Sequence, residues 1–217
     1  MTTPTVSPEV LASSVAARLL HDVSGPLSGL VSGLELISSD SDPEMKDAGL
    51  ELAAASAKAL TDWLGFCRLA YGGESRTRTG TDLEALASQP LDGRRAKLIW
   101  EGGSGPFNGL VSRVILLMVQ IAAAGLGSGG VATLSATRES DGHDLAVAAE
   151  GRRVAISEEA KEGLDGNAAP AGLAGRWAPS RLLRELVVGA KGQLTWSIDN
   201  ERLRITVRLP GPLPPDP

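Results

Sequence analysis

Two apolar stripes of helical period, set one after the other with a break between them, constrain this chain more than anything else in it. Leu19, Val23, Leu27, Leu30, Leu34 and Ile37 recur at steps of three and four, the period of a helix with one buried face. They predict a long helix from about Ser7 to Ser38. Ser39-Asp40-Ser41-Asp42-Pro43 interrupts the pattern, with Asp42 placed to cap a second helix beginning at Pro43. The second stripe, Leu50, Ala53, Ala57, Leu60, Leu64, Cys67 and Tyr71, carries that helix to about Tyr71. Two long helices with a short connection make an antiparallel hairpin. A lone hairpin buries such stripes poorly. Either two copies pair in a symmetric four-helix bundle, which makes a homodimer the expectation, or the stripes pack on the C-terminal half of the same chain. The small residues Ala53, Ala54, Ala55 and Ala57 would let helices approach closely.

Beyond Tyr71 the pattern changes. Gly72 to Gly80 is rich in Gly, Ser, Thr and Arg and reads as a linker. Short helices are expected over Asp82 to Gln89 and Pro179 to Ala190, and a strongly apolar one over Phe107 to Leu126. Strands are expected over Lys97 to Trp100, Gly130 to Arg138, Asp144 to Glu150, Gln193 to Ile198 and Leu203 to Leu209. The last two form a hairpin about Asp199-Asn200, and the pair before them turns at Ser140 to His143. Helices alternating with antiparallel strands suggest a two-layer α/β sandwich. The fold class is therefore α+β, and 211–217, rich in proline, is expected to be a flexible tail.

With 217 residues, the chain has room for two small domains. Its formal charge of -5, with acidic and basic residues interspersed, supplies no basic stripe for nucleic acid. The single cysteine, Cys67, rules out an intrachain disulfide and a cysteine-based metal cluster, and is read as a small core filler. Met1 to Val10 lacks the pattern of a secretion signal. No apolar stretch approaches the roughly 20 residues of a membrane span, so a cytoplasmic protein without a membrane partner is expected.

One residue stands out chemically. At about 100° per residue, the first stripe lies within roughly 60° of the side opposite His21, so the imidazole faces away from the predicted core. Asp22 follows it directly. Gly25 and Pro26, both poor helix residues, come one turn later within the same stripe, which favours a single bent helix over two that meet. A bend there frees backbone carbonyls and makes room for a partner. A solvated surface histidine is the bland alternative. His143, in a predicted turn, is read as solvated. Trp100, Trp177 and Trp196 are read as core or interface anchors, and the glycine pairs Gly102-Gly103 and Gly129-Gly130 as turns.

His21-Asp22-Val23-Ser24-Gly25-Pro26-Leu27 resembles the H-box of two-component histidine kinases: histidine, acidic residue, three variable positions, proline, leucine. The resemblance implies that His21 accepts a phosphoryl group and that Asp22 orients the ring and takes its proton as general base. A neutral imidazole is a competent nucleophile, and a carboxylate on one ring nitrogen leaves the other free. Yet the stretch matching the kinases' magnesium-holding helix, Arg113 to Ala122, contains no asparagine. Ala148 to Arg153 stands where the adenine loop belongs. Gly172-Leu173-Ala174-Gly175-Arg176-Trp177-Ala178-Pro179 stands where a glycine-rich lid would cover phosphates, with bulky Trp177 and Pro179 in it.

An H-box followed by a degenerate ATP site resembles the ChpT family of bacterial histidine phosphotransferases. Ala17-Arg18-Leu19, Val31-Ser32-Gly33-Leu34, Ala54-Ala55-Ser56-Ala57 with Lys58, Gln120 to Ala123, Gly129 to Thr133 and Gly172-Leu173 with Trp177 carry the likeness over nearly the whole chain. The resemblance implies three parts: a dimerisation and phosphotransfer hairpin over 1–75, a degenerate ATPase-like α/β domain over 81–210 that helps dock receiver domains, and the tail. It implies no cofactor on this chain, with magnesium carried by the partner receiver. The partners implied are a second copy, the receiver of a hybrid histidine kinase, and response regulators of the cell cycle. Arg18, a turn before His21, is a candidate to steady phosphoryl oxygens or meet an acidic receiver pocket, a solvated surface arginine being the equal alternative. Ser24, Gly25, Leu27 and Ser28 are candidates for the docking surface, and Pro26 for shaping it. Gly25 departs from the usual H-box in being more flexible. Two other readings stay open: an ATP-dependent kinase, and an adaptor that binds a receiver without transfer.

Overall fold

A computed structural model describes residues 7–38, 42–73, 76–127, 129–169, 175–199 and 201–211. Helices α1 (Pro8–Ser38) and α2 (Pro43–Ala70) form the hairpin. Asp42 caps α2, its side chain accepting from the Met45 amide at 2.9 Å, with Pro43 in the first turn. Then follow α3 (Gly80–Ser88), a 3-10 turn over Gln89–Leu91, β1 (Ala96–Glu101), α4 (Gly109–Gly125), β2 (Gly130–Glu139), β3 (Gly142–Glu150), α5 (Glu158–Asp165), α6 (Trp177–Gly189), β4 (Gln193–Ile198) and β5 (Arg202–Pro210). The tail beyond 211, the turn residues 39–41, Asn200 and the Gly172-Leu173-Ala174 part of the lid segment lie outside the described residues.

The fold is α+β, as the residue pattern indicates: a helical hairpin followed by a five-stranded sheet in the order β1-β2-β3-β5-β4 with helices on one face. Four strands pair antiparallel, but β1 runs parallel to β2, with Ala96 opposite Gly130 and Glu101 opposite Ser135. This corrects the all-antiparallel expectation. The apolar helix α4 sits between β1 and β2 as the crossover that a parallel pair requires. It is buried nearly all round, against Leu145, Val147, Leu203, Ile205 and Val207 of the sheet and against the hairpin's base.

That base is part of the core. Phe66, Leu69 and Ala70 are fully buried in the same cluster as α4, and Trp63 stacks on Phe66 at 4.9 Å. The Tyr71 hydroxyl donates to Gln120 Oε1 at 2.6 Å. The segment read as a linker is equally tied: Arg78 exchanges backbone hydrogen bonds with Phe107 at 2.8 and 2.9 Å, and Gly80 already begins α3. Helix α5, which the apolar pattern does not announce, is framed by caps. Ser157 accepts from the Ala160 amide, and Gly166 closes the helix at φ +83°, a conformation that favours glycine.

Within the hairpin the helices cross on glycines. A Cβ on Gly33 would lie 2.6 Å from the Gly49 carbonyl oxygen and 2.7 Å from the Ala53 nitrogen. Ala53 is buried at this crossing, while Ala54 and Ala55 are exposed. The predicted stripe of α1 is correspondingly split. Gly29, Gly33, Leu36 and Ile37 face α2, whereas Leu27 and Leu34 stay about half exposed, joined by Leu20 and Val31. Leu50 and Leu64 of α2 are uncovered too. At the N-terminal end of α1, Leu11 and Val15 pack on Trp177, which is fully buried at the start of α6. The anchor reading holds for Trp177. Among the described residues no helix is long and apolar enough to cross a membrane.

Candidate active site

His21 stands on α1 with its side chain 81% exposed. Its Nδ1 lies 3.1 Å from Asp22 Oδ1. A carboxylate only accepts, so Nδ1–H is the donor and Nε2 carries the free lone pair. Asp22 is itself held: Arg18 Nε donates to its Oδ2 at 2.7 Å, one helical turn away and largely shielded from water. The three residues form a line, guanidinium to carboxylate to imidazole. Each carboxylate oxygen has one partner, which fixes its orientation and, through it, the ring's. The Nε edge of the guanidinium is thus directed at Asp22.

The other residues singled out from the sequence surround this line. Ser24 is turned back on its own helix, its Oγ donating to the Leu20 carbonyl at 2.7 Å. Gly25 is exposed, and a Cβ built there meets nothing within 4 Å. Leu27 and Ser28 are exposed. The helix continues through Pro26 to Ser38, and Pro26 lines a cleft of about 480 Å³ with Lys58, Trp63 and Asp92. A second cleft, of about 540 Å³, lies on the other side of Arg18 and Asp22, toward α4, α5 and α6. His21 is at its mouth, and Arg94, Gln120, Arg176 and Ser180 help to wall it.

These last four are residues that local pattern did not offer. Gln120 is the one polar residue in the buried middle of α4, and that oddity is the signal by which it is found. The other three come from separate segments. Below the site, burial and then the charge of Asp22 push the Cys67 thiol up to about 12, against the opposing pull of Arg18. This thiol is a neutral core group, as its place in the stripe suggests. Burial likewise raises the Tyr71 phenol. His143 differs from its reading as solvated: it is half-buried in β3, its Nδ1 lacks a partner, and burial lowers its pKa. Among the described residues no cluster of three or more His, Cys, Asp or Glu is placed to hold a metal ion.

Residues 80–202 match the family model described as the histidine phosphotransferase C-terminal domain. No curated protein matches. Among solved structures, the chain is similar to a bacterial phosphotransferase determined at 1.7 Å, with a TM-score of 0.81 at 18% identity, covering 95% of this chain and all of that one. At that identity the likeness is one of fold. The histidine kinase domain of the blue-light activated kinase of Erythrobacter litoralis matches at a TM-score of 0.48 and 18% identity, over 84% of this chain and 95% of that one. The histidine kinase AdeS of Acinetobacter baumannii matches at 0.46 and 14%, over 88% and 94%. Neither kinase score bears weight.

Proposed function

The chain belongs to the histidine phosphotransferase family, and on that premise we propose that it is a phosphorelay carrier, taking a phosphoryl group on His21 from a receiver aspartate and passing it to a second receiver without using ATP. The observation that carries this reading is the tethered imidazole: Nδ1 is held by Asp22 at 3.1 Å while Nε2 is free on an 81% exposed side chain. In the forward step Nε2 forms a bond to phosphorus as the bond from phosphorus to the aspartyl oxygen breaks, and the receiver's carboxylate leaves. The onward step is the same exchange run toward another aspartate. Asp22 stabilises the positive charge that reaches the ring and accepts its Nδ1 proton. Arg18 acts behind it as a positioning residue. The magnesium that neutralises the transferring group belongs to the receiver, where positioning and charge do most of the work.

The absence of asparagine from α4 and the burial of Trp177 favour a carrier over an ATP-dependent kinase. The uncovered leucines favour a homodimer. Leu20, Leu27, Val31 and Leu34 share one face of α1, with Leu50 and Leu64 on α2, and a second hairpin is the partner that would bury such a face in a four-helix bundle. The site then occurs twice, exposed on opposite sides. Receivers of a hybrid kinase and of response regulators would dock over Ser24, Gly25 and Ser28, with Leu27 given to the dimer face instead.

The test is transfer of radiolabel from a phospho-receiver to the wild-type protein beside His21→Ala. Acid-labile label on the wild type alone, passed on to a second receiver, is the expected result. Equal label on the variant would overturn the role of His21. A receiver that binds tightly but leaves no label would replace the carrier with an adaptor.

A further inference from the structure

The cleft between His21 and the C-terminal half contains more positive charge and more unpaired donors than the H-box needs. Its walls bear three arginines, Arg18, Arg94 and Arg176, against one carboxylate, Asp22. Both oxygens of Asp22 are occupied, by Arg18 and His21. Among the described residues the Arg94 guanidinium makes only a long bond, 3.5 Å, to the Ala123 carbonyl. Neither Arg94 nor Arg176 has an ion-pair partner among the described residues.

Two buried polar side chains add to this. Ser180 is fully buried, and among the described residues its Oγ has no hydrogen-bond partner. Gln120 is 5% exposed; Tyr71 occupies its oxygen, and its Nε2 has no partner among the described residues. Buried polar groups are ordinarily paired, so two orphans along one cleft call for an explanation. The 13-residue helix α6 also begins there, with no side chain capping it. Arg176, Pro179 and Ser180 at that end line the same space; Pro179 has no amide hydrogen to offer there.

We propose that this cleft is a binding site for a phosphoryl-type dianion, held by Arg94, Arg176 and the orphan donors of Ser180 and Gln120. The wall offers donors and no unoccupied carboxylate, which excludes a cation. Two guanidiniums, a hydroxyl and a side-chain amide suit the three outer oxygens of a phosphoryl group. That chemistry has two sources. One is the phosphoryl group on His21 itself, whose unheld nitrogen is at the mouth of the cleft; this source rests on the carrier reading above. The other is free phosphate.

Two arms separate them. In the first, the protein is phosphorylated on His21 with potassium phosphoramidate and the phosphohistidine is titrated by 31P NMR. Nearby guanidiniums favour the dianion, so its last titration midpoint falls at lower pH in the wild type than in the doubly substituted Arg94→Gln, Arg176→Gln protein. Both arginines are exposed, and far-UV circular dichroism checks that the variant keeps its fold. In the second arm, inorganic phosphate is titrated into the unphosphorylated protein, following the Ala178 amide and the Gln120 side-chain amide by 15N NMR. A midpoint difference alone assigns the site to the group on His21. Phosphate-dependent shifts that vanish in the variant, without a midpoint difference, assign it to free phosphate. Identical midpoints together with no variant-sensitive shifts overturn the site. Failure of the wild type to take label from a phospho-receiver tells against the carrier reading instead, and the phosphate titration then decides the site alone.

Discussion

Replacing Gly33 by alanine adds one methyl group at the point where α1 and α2 come closest, and the same change at Gly25 is its natural control. Both glycines are inside α1, so each substitution gains about 1 kcal/mol from helix propensity and from a less flexible unfolded chain. At Gly25 nothing lies within 4 Å of the new Cβ, and the gain is kept. At Gly33 the Cβ would meet the Gly49 oxygen at 2.6 Å and the Ala53 nitrogen at 2.7 Å. Both are backbone atoms, with no rotamer to turn away. The helices must separate by roughly 0.8 Å to restore ordinary contact, and a gap of that size forfeits a quarter to a half of each neighbouring dispersion contact. The contacts between Gly49 and Leu36 and Ile37 are the first to loosen. Overpacking of this kind costs about 1–3 kcal/mol, so Gly33→Ala should be less stable than Gly25→Ala by that amount. Gly29→Ala should fall between them, because the atom its Cβ meets at 2.5 Å is the Ser56 hydroxyl, which can rotate. Urea titrations followed by circular dichroism, at one fixed chain concentration because association would shift the midpoint, give the comparison. Gly33→Ala as stable as Gly25→Ala would show that the crossing is wider than described.

Other expectations follow from the same contacts. Tyr71→Phe removes the only partner that the buried Gln120 side chain has among the described residues and should cost about 1–3 kcal/mol, read from the same titration. Trp177→Ala should cost about 3–5 kcal/mol, with faster hydrogen exchange in the first turns of α1, where Leu11 and Val15 lose their support; unchanged exchange there would contradict the anchor. Cys67 is held protonated to about 12 against an ordinary 9.0. From pH 9 upward the unfolded thiol ionises and the folded one does not, so stability is intact below pH 9 and declines from there toward 12. Iodoacetamide should accordingly label Cys67 slowly in the native protein at pH 8.5 and rapidly in urea. Leu50→Glu, on the uncovered face of α2, should halve the mass measured by sedimentation if that face joins two copies, and leave it unchanged if it does not.

What the sequence disclosed depended on how local each signal was. The long helices and the cap at Asp42 are local, since period and capping chemistry are written in consecutive residues. How α1 crosses α2 is not legible in the stripe, because the close crossing is made by Gly33 and Gly49, and hydrophobic period is blind to residues that pack through having no side chain. Helix α5 escaped because it is short and polar, although its frame was present: Ser157 before two glutamates and Gly166 after Asp165. The parallel pairing of β1 with β2 joins strands separated by the whole of α4, and no nearby residue specifies it. At the site, His21 and Asp22 are neighbours and were legible together. The spacing of Arg18 and Asp22 at i and i+4 also permits their ion pair. Arg94, Gln120, Arg176 and Ser180 meet only in the folded chain.

The placement of the histidine between two anchors gives the site its character. The hairpin's base is built into the α/β core through Phe66, Leu69 and the bond from Tyr71 to Gln120. Its other end, near the start of α1, is fastened to α6 by Trp177. His21 lies on the span of α1 between the Trp177 contact and the Gly33 crossing, exposed while the helix bearing it is fixed on both sides. A carrier that serves two receivers in turn needs this combination, since each partner must reach the same nitrogen in the same orientation. Orientation is set within the chain by the line from Arg18 through Asp22 to Nδ1, and access is left to the partner. The C-terminal half also bears on the site. It immobilises the helix, and its Arg94 and Arg176 bring positive charge to the mouth of the cleft, where transfer would bring a phosphoryl dianion.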